Sequence, residues 1–587
     1  MAWYDESIFY HIYPLGLTGA PKQNPYGEPV HRLNTLIPWI SHIKEIGCNA
    51  IYIGPLFESV GHGYETTDYK KLDSRLGTNE DLTNFVAQCH KQGVRVILDG
   101  VFNHTGRDFF AFKDIRENRE NSRYRDWYCN VNFWGNNSFN DGFSYENWGG
   151  YDLLAKLNQR NPEVRDYICD VIRFWVSEFD IDGLRLDAAD VMDFDYMKAL
   201  RNVANEVKPD FWLMGEVIHG NYSRWANEGT LHSVTNYMLH KALYSAHNDH
   251  NYFEVAHTIQ YVNNMAGSNL NLYTFVDNHD VERIYTKLNN KAHFLPTHVM
   301  LYTLPGIPSI YYGSEFGIEG RKERSSDDSL RPALNYEDYK NSVETNVCTK
   351  LIAALGKIRQ NTPALKYGDY RQLELQTGHY AYARVLDGKY VITTVNNADN
   401  DAYMNLEAGC SAEFVGALTG ERVSANGGRI QVRVPANSGE IWIPAEICDE
   451  SLAPIKTEEI DRTVIQNIKV EEPKQEVKEV IVEENAVEVP AQEITVSEAT
   501  EQTKEGSVKE EIKIEAEAGK QQETLKETPD KIVVDWNKPY EEMSVEELQE
   551  AILEKMRKNG PVTDYMLGTV KENTHHGSLV NWVRSFG

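Results

Sequence analysis

The sequence predicts an α/β protein built on an eight-stranded parallel (β/α)8 TIM barrel, and three observations support this fold class. Strand-like and helix-like stretches alternate from the start of the chain to about residue 315, and eight such alternations match a closed barrel better than an open doubly wound sheet. No glycine-rich phosphate turn follows the first strand, as an open nucleotide-binding sheet would usually have. Polar clusters follow four of the predicted strands at their carboxyl ends, where barrel enzymes build their sites.

The order of elements along the chain follows from apolar periodicity and from capping residues. Amphipathic helices are predicted over 33–46, from Thr78 with a capping box at Asp81 to Gly93, over 161–179 and around 349–359. The strands are predicted over 7–14, 48–57, 93–104, from Asp182 onward, and over 211–217, 233–237, 272–277 and 307–312.

Composition divides the rest of the chain into further parts. The barrel takes residues 1–104 and 152–366, and the aromatic-rich stretch 105–151 after the third strand is too long for a structureless loop, so a small inserted subdomain is expected there. Short alternating strands over 367–446 predict a C-terminal all-β sandwich domain. A disordered acidic linker is expected over 447–535, and a small helical module of unassigned role, with a capping box at Ser544 and Glu547, over 536–587.

Charge and composition exclude several classes of function. The net charge is −29, and residues 451–530 contribute about −11 of it, which argues against binding to nucleic acid or to anionic membranes. No stretch approaches twenty uninterrupted apolar residues, and the N-terminus lacks a basic leader and an apolar signal core, so a cytoplasmic protein is expected. The seven cysteines are scattered singly, without a spacing that suggests zinc or disulfides.

A guanidinium and a carboxylate stand two residues apart on the predicted fourth strand. Because side chains alternate along a strand, Arg185 and Asp187 point to the same face. Such a pair is costly to bury unless the two groups bind each other and a further partner. A structural ion pair would explain a lone Arg-x-Asp, but the other polar residues at neighbouring strand ends favour a functional site.

Three carboxylates at strand ends are the candidate catalytic groups: Asp187, Glu216 and Asp280. Cleavage of an acetal link between sugars with retention needs a carboxylate nucleophile and a carboxylic acid about 5 Å apart. The apolar neighbours of Glu216 favour a retained proton, and Arg185 is expected to keep Asp187 ionised. Scattered surface acids would explain three carboxylates less well, because all three lie at strand ends.

Four segments, in order, resemble the signature segments of the α-amylase family of glycoside hydrolases: 99–104 (DGVFNH), 183–187 (GLRLD), 215–217 (GEV) and 275–280 (FVDNHD). The segments 63–69 (GYETTDY) and 306–313 (GIPSIYYG) are also similar to family segments. This resemblance covers roughly residues 1–446 and implies a barrel, an inserted subdomain and a C-terminal β-domain.

The resemblance also implies roles for individual residues. Asp187 would be the nucleophile, Glu216 the acid/base and Asp280 the stabiliser of the transition state. The residues expected around the substrate are Tyr64, Asp99, His104, Arg185, His279 and, by similarity to a pair that holds a more distant glucose, Asp327 and Arg331.

Departures from the family pattern narrow the expected activity. Where many starch amylases have Ala-x-Lys-His after the nucleophile, this chain has 188–191 (AADV). By resemblance to the oligoglucosidase branch of the family, an alanine at position 188 favours specificity for α-1,4 over α-1,6 bonds. The segment 154–158 (LAKLN) is similar to members that degrade cyclomaltodextrins and maltodextrins rather than to the acidic, calcium-associated version. No cofactor is therefore expected to be required, although Asn103 matches one calcium ligand of the family.

The sequence thus predicts a retaining hydrolase of α-1,4-glucosidic bonds in maltodextrins, cyclodextrins or related α-glucans. The alternatives are an α-glucan transglycosylase, an oligoglucosidase acting on α-1,6 bonds, and a non-catalytic glucan-binding relative. The expected partner is an α-glucan oligosaccharide, with an unknown protein as a candidate partner of the C-terminal module.

Overall fold

The computed structural model of the protein describes residues 2–265, 270–324 and 326–448, and near the C-terminus residues 534, 536, 538–559, 570, 579, 580 and 583. The chain divides into two compact units, residues 1–477 and 478–587. Within these described ranges, no helix has both the length and the apolar character that crossing a bilayer requires.

Eight parallel strands form the predicted barrel, which confirms the fold class: β1 (Phe9–Ile12), β2 (Ala50–Ile53), β3 (Arg95–Gly100), β4 (Gly183–Leu186), β5 (Trp212–Gly215), β6 (Ser233–Val234), β7 (Tyr273–Phe275) and β8 (Ile307–Tyr311). Their order in the sheet is β6-β5-β4-β3-β2-β1-β8-β7. A parallel bridge between Thr235, next to β6, and Tyr273 of β7 closes the barrel. Buried side chains fill its interior, as in other closed barrels, among them Phe9, Tyr52, Ile97, Trp212, Met214 and Phe275.

Helices follow seven of the eight strands. They are Trp39–Glu45 after β1, Asn79–Lys91 after β2, Pro162–Phe179 after β3, Phe194–Val207 after β4, Tyr237–Asn248 and Phe253–Met265 after β6, Phe294–Thr303 after β7 and Val347–Asn361 after β8. Shorter helices span Pro14–Leu17, Ile284–Lys287, Tyr336–Tyr339, Ser342–Thr345 and Pro363–Tyr367. The predicted capping box is confirmed, because the Thr78 amide donates to Asp81 at 2.8 Å.

Two elements differ from the prediction. The single helix expected over 33–46 is divided into a 3-10 helix, Arg32–Leu36, and the α-helix Trp39–Glu45. Pro38 lies between them, and its missing N–H and ring interrupt a continuous helix. After β5, the described chain forms only the 3-10 helix Tyr222–Arg224 before β6 begins. Gly220, at φ +107°, turns the chain into this short crossover.

The insertion after β3 is a folded subdomain, as the length of the stretch predicts. Its three-stranded antiparallel sheet contains His104–Thr105, Asn147–Trp148 and Tyr151–Lys156, and its helix is Phe110–Asn118. Buried aromatic rings hold the subdomain together: Phe112, Tyr128, Phe143 and Tyr145. Its third strand extends past residue 151, the predicted boundary. A separate antiparallel pair after β2, Phe57–Ser59 with Thr66–Leu72, carries the turn that presents Tyr64.

The predicted all-β domain contains eight strands: β9 (Asp369–Leu375), β10 (His379–Leu386), β11 (Lys389–Asn396), β12 (Ala402–Glu407), β13 (Glu413–Gly416), β14 (Arg422–Ser424), β15 (Arg429–Val434) and β16 (Ser438–Pro444). Six of them form one sheet in the order β9-β10-β11-β16-β13-β14, and β12 pairs with β15. A separate core of buried residues, including Ile392, Met404, Ile430 and Trp442, lies within this domain.

The second unit contains the helix Val545–Asn559, which confirms the helix predicted there. The Ser544 amide donates to the Glu547 carboxylate at 2.6 Å, and the Glu547 amide donates to the Ser544 hydroxyl at 3.2 Å, so the predicted capping box is present. Leu548 and Ile552 are buried on the predicted apolar face. The predicted acidic linker lies outside the described residues except at Ile447, Cys448 and Val534, and so does most of 560–587.

Candidate active site

Arg185 of β4 binds three carboxylates at the carboxyl end of the barrel. Its Nη1 donates to both oxygens of Asp99 and to Oδ1 of Asp187, each at 2.9 Å. Its Nη2 lies 2.9 Å from Oε2 of Glu216. Arg185 is only 3% exposed. The predicted Arg185–Asp187 pair is confirmed, and the same guanidinium also joins side chains from β3 and from the end of β5.

The register of the barrel explains this convergence. Asp99 is the partner of Arg185 across β3 and β4, and Met214 is its partner across β4 and β5. Glu216 follows Met214 by two residues, so its side chain leaves the sheet on the same side. Carboxyl ends of parallel strands meet at one rim of a barrel, which is where these groups lie.

Glu216 is contacted by hydrogen-bond donors on both carboxylate oxygens. Oε2 accepts from the Ala188 amide at 3.1 Å, in addition to Arg185. Oε1 accepts from the Tyr237 hydroxyl at 3.4 Å. Ala188 has the left-handed conformation, φ 48° and ψ 41°, which is uncommon for a residue other than glycine. The strained turn directly after Asp187 aims this amide at Glu216.

Asp280 lies beyond β7 between two basic side chains. Its Oδ2 is 3.0 Å from Nε2 of His279, and its Oδ1 accepts from Nη2 of Arg331 at 2.9 Å. Burial by itself would raise the pKa of the Asp280 carboxyl, but His279, Arg331 and Arg185 together hold it well below its ordinary value. Asp280 is therefore a fixed negative charge in this site.

Asp187 is in a different electrostatic environment from Asp280. Burial raises the pKa of the Asp187 carboxyl well above its ordinary value, and Glu216, Asp99 and Asp280 raise it further, whereas Arg185 opposes the shift. Arg185 thus favours the ionised form of Asp187, as expected, but burial and the neighbouring carboxylates outweigh its effect on the pKa. The physical reason is that one guanidinium is shared among three carboxylates.

The predicted pair Asp327 and Arg331 is formed, and it connects to the carboxylate site. Arg331 Nη2 donates to Asp327 at 3.1 Å as well as to Asp280. The neighbouring Asp328 instead contacts Lys22 on the surface. The register that relates Asp327 to Arg331 is therefore the one that the sequence predicts.

The remaining predicted substrate residues surround the carboxylates. The Tyr64 hydroxyl contacts His279 Nε2 at 2.5 Å and Asp99 at 3.2 Å, and its ring stacks on His279 with centroids 5.7 Å apart. His104 is buried, and burial lowers its pKa to about 3, so its imidazole is neutral. Within the described part of the chain, His104 Nε2 has no hydrogen-bond partner. The Trp148 ring of the inserted subdomain lies 6.0 Å from the His104 ring.

Asn103, the predicted match to a calcium ligand, is hydrogen-bonded within the protein. Its side-chain oxygen accepts from Gln159 at 2.9 Å, and its nitrogen lies 3.3 Å from Nδ1 of His104. Calcium prefers six to eight oxygen ligands, several of them carboxylates. The side chains hydrogen-bonded to Asn103 are an amide and an imidazole, and no group of three acidic, histidine or cysteine side chains placed to hold a metal occurs in the described ranges. These residues do not fit a calcium site.

Two residues of the site were not identified from the sequence. Tyr237 contacts Glu216, and its position at the carboxyl end of the sixth predicted strand is the signal that would have found it. Asp190 lies next to the acid/base candidate: its amide donates to the Glu216 carbonyl at 3.2 Å. Burial and the Glu216 charge raise the pKa of Asp190 to about 6. The sequence marks Asp190 only as a departure from the starch-amylase pattern.

Comparisons with known proteins show which family the chain belongs to. Residues 27–364 match the family described as Alpha amylase, catalytic domain. The cyclomaltodextrinase of Thermoanaerobacter pseudethanolicus is 33% identical over 420 residues, 68% of this chain and 71% of that protein. The intracellular maltogenic amylase of Bacillus subtilis is 28% identical over 426 residues, 69% of this chain and 70% of that protein. Among solved structures, the debranching enzyme of Nostoc punctiforme is similar with a TM-score of 0.63 and 26% identity, over 75% of this chain and 98% of that chain.

Proposed function

Because this chain belongs to the α-amylase family of glycoside hydrolases, we propose that it cleaves α-1,4-glucosidic bonds of maltodextrins and cyclodextrins with retention, through a glycosyl-enzyme intermediate. The single observation that carries the proposal is the bridging of Asp187 and Glu216 by Arg185. Retention needs two carboxyl groups close enough for one to attack the sugar while the other protonates the leaving oxygen. The similarity to a cyclomaltodextrinase and to a maltogenic amylase supports this choice of substrates.

Asp187 is the proposed nucleophile. Its Oδ1 is held by Arg185, which leaves Oδ2 to attack the anomeric carbon. Glu216 is the proposed acid/base: Oε2 is occupied by Arg185 and Ala188, so Oε1 is the oxygen that delivers a proton to the glycosidic oxygen. In the second half of the reaction, the same oxygen takes a proton from the attacking water, which then releases the sugar from Asp187.

The charge of the site supports a shared proton. Four carboxylates face two guanidinium groups, Arg185 and Arg331: Asp99 and Asp187, which are buried, and Glu216 and Asp280, which are partly buried. One proton held between Asp187 and Glu216 lowers the repulsion, and interacting acids of this kind titrate as a pair. A bound glycosidic oxygen accepts a hydrogen bond, so substrate favours the proton on Glu216 and the charge on Asp187, as the first step requires.

Asp280 is the proposed stabiliser of the positive charge that develops on the sugar ring, because its own negative charge is held by His279 and Arg331. Tyr64, His104 and His279 are proposed to contact the sugar at the cleavage point. The unpartnered, neutral His104 Nε2 is suited to a sugar hydroxyl. Asp327 and Arg331 are proposed to hold a more distant glucose.

A product time course on maltooligosaccharides, cyclodextrins, pullulan, panose and isomaltose tests the proposal, with the anomer of the first product determined by NMR. We expect α-configured products from α-1,4-linked substrates, and β-configured first products would contradict retention. Products longer than the substrate would favour a transglycosylase. Preferential release from panose and isomaltose would favour α-1,6 action, which the similarity to a protein named as a debranching enzyme makes the second candidate.

Calcium is not part of the proposed mechanism, since the surroundings of Asn103 do not fit the ion. Turnover in excess chelator is therefore expected to equal turnover in added calcium. A cytoplasmic location is proposed on the similarity to a relative named as intracellular. A protein partner for the C-terminal module remains a proposal, and deletion of residues 447–587 would show whether turnover depends on that region.

A further inference from the structure

A short hydrogen-bond chain connects the proposed acid/base to the loop of the proposed stabiliser. It runs from Oε1 of Glu216 to the Tyr237 hydroxyl at 3.4 Å, and from this hydroxyl to the Asn278 amide nitrogen at 3.1 Å. Asn278 Oδ1 in turn accepts from the backbone amides of Asp280 at 2.8 Å and Val281 at 3.1 Å. Tyr237 is thus the side chain that links the two carboxylate positions.

The orientation of the Asn278 side-chain amide determines which group donates in each of these hydrogen bonds. Asn278 Oδ1 faces two N–H donors, so the other end of the amide, toward Tyr237, must be the NH2 group. An NH2 group donates only, and the Tyr237 hydroxyl therefore accepts from Asn278. The hydroxyl has a single proton of its own, which then points to Oε1 of Glu216.

The position of Tyr237 is determined by packing as well. It is the first residue of the helix Tyr237–Asn248, whose N-terminus is capped by the Asn236 side chain at 3.0 Å. Its ring packs edge-on against Phe275 of β7, with centroids 5.0 Å apart. The ring is half-buried, so the hydroxyl reaches the site while the body of the side chain is held between β6 and β7.

We propose that Tyr237 is a positioning residue that orients Oε1 of Glu216 by donating a hydrogen bond to it, and that loss of this donor changes the pH dependence of turnover. This inference rests on the proposed acid/base role of Glu216. Within the described residues, the groups hydrogen-bonded to the Glu216 carboxylate are all donors: Arg185 and the Ala188 amide on Oε2, and Tyr237 on Oε1. Donors favour the carboxylate over the acid.

Other charged groups near Glu216 also act on its carboxylate, in addition to Tyr237. They are Arg185 of β4, Asp187 and Asp190 in the turn directly after β4, and Asp280 in the loop after β7, which acts on Tyr237 together with Glu216. The three carboxylates repel a negative charge on Glu216, and Arg185 attracts it. Removal of the Tyr237 hydroxyl takes away one of the donors that balance those carboxylates.

The test is the pH dependence of kcat/KM for Tyr237→Phe on a maltooligosaccharide. Without the hydroxyl, the Glu216 carboxylate loses one hydrogen-bond donor, so we expect the alkaline limb of the profile to move up by about half a pH unit and kcat to fall about tenfold at neutral pH. Tyr244→Phe, on the same helix, is the matched control and should leave the profile in place. Asn278→Asp should give the same change, because a carboxylate would take the Tyr237 proton away from Glu216.

Two outcomes would overturn the inference. A uniform fall in kcat/KM at every pH would show that Tyr237 only contacts substrate, and an unchanged profile would show that it has no role. Glu216→Gln separates this failure from failure of the proposed function. If Glu216→Gln retains turnover, both proposals are wrong. If Glu216→Gln is inactive while the Tyr237→Phe profile stays in place, the inference about Tyr237 alone is wrong.

Discussion

Asp187 and Glu216 are held by the same guanidinium: Arg185 Nη1 lies 2.9 Å from Oδ1 of Asp187, and Arg185 Nη2 lies 2.9 Å from Oε2 of Glu216. This arrangement orients both carboxylates with one side chain, through Oδ1 of Asp187 and Oε2 of Glu216, while Oε1 of Glu216 accepts from the Tyr237 hydroxyl. It also concentrates negative charge in a buried site, and several measurable consequences follow from that charge.

Asp187→Asn is expected to make the protein more stable while removing its activity. The pKa of Asp187 is raised by burial and by neighbouring carboxylates, so its ionised form costs stability, and this cost grows as pH rises above about 3.9, the value in unfolded chains. A neutral amide removes the cost, and we therefore expect the free energy of unfolding at pH 7 to rise. Denaturant unfolding at pH 7 and pH 4 measures this, with a smaller gain at the lower pH. A less stable Asp187→Asn protein would contradict the account of the charges.

Asp190→Asn tests the second carboxyl group whose pKa is raised. With a folded pKa of about 6, ionised Asp190 destabilises the protein as pH rises from about 4 through 6, and the substitution should recover up to about 3 kcal/mol at pH 7 and nothing below pH 4. Loss of this charge beside Glu216 should also move the alkaline limb of kcat/KM to lower pH, opposite to Tyr237→Phe. Equal stability gains at both pH values would show that burial of charge is not the cause.

Asp182 is a buried carboxylate at the opposite end of β4. Its pKa is lowered, whereas the pKa values of Asp187 and Asp190 are raised. It accepts from Arg95 at 2.9 Å, Lys208 at 3.0 Å, His90 at 2.7 Å and the Val96 amide at 2.9 Å. Although burial acts to raise its pKa, these partners lower it to about 2. Ionised Asp182 therefore contributes about 2.5 kcal/mol of stability above pH 4, and this contribution is lost as pH falls through 2.

Replacement of Asp182 by alanine should cost about 3 to 5 kcal/mol at pH 7, since it leaves buried donors without a partner. Thermal or denaturant unfolding measures the cost. Asp195→Asn, whose side chain is 89% exposed, is the control and should change stability little. A cost for Asp182→Ala no larger than that of the control would show that the four contacts do not stabilise the barrel.

Trp148→Ala tests whether the inserted subdomain contributes to substrate binding. The Trp148 ring is partly exposed and lies beside His104 at the site. Loss of an aromatic surface for a glucose ring should raise KM for maltooligosaccharides about three- to tenfold, with a smaller effect on kcat. Trp134→Ala, at a ring 98% exposed in the same subdomain, should leave KM unchanged. Equal effects of the two substitutions would point to the fold of the subdomain rather than to contact with sugar.

Much of the fold could be predicted because barrel strands are short, apolar and followed by polar residues. All eight strands were located, and the polar residues at their ends pointed to the rim where Asp187, Glu216 and Asp280 lie. The helix over 33–46 was predicted wrongly, because apolar spacing continues across Pro38 while the backbone hydrogen bonds do not. The short connection between β5 and β6, which contains only a 3-10 helix, was also not predicted. The alternation of strands and helices along the chain does not show where a connection is short.

The electrostatics of the site could be predicted less well than its residues. The sequence places Arg185 next to Asp187, and a pair of that kind suggests one cation for one anion. Only the barrel register brings Asp99 and Glu216 to the same guanidinium. Tyr237 was missed for a related reason: its importance depends on contacts with Glu216 and Asn278, which are far from it in sequence.

The attack by Asp187 is tested most directly by trapping the intermediate. The enzyme would be incubated with a fluorinated maltosyl fluoride that forms the glycosyl-enzyme quickly and hydrolyses slowly, and then digested for peptide mass spectrometry. We expect one glycosyl group on the peptide that contains Asp187, in ester linkage to that side chain. A glycosyl group on Glu216 or Asp280 instead, or turnover to β-configured product without any labelled peptide, would contradict the assignment of Asp187 as the nucleophile.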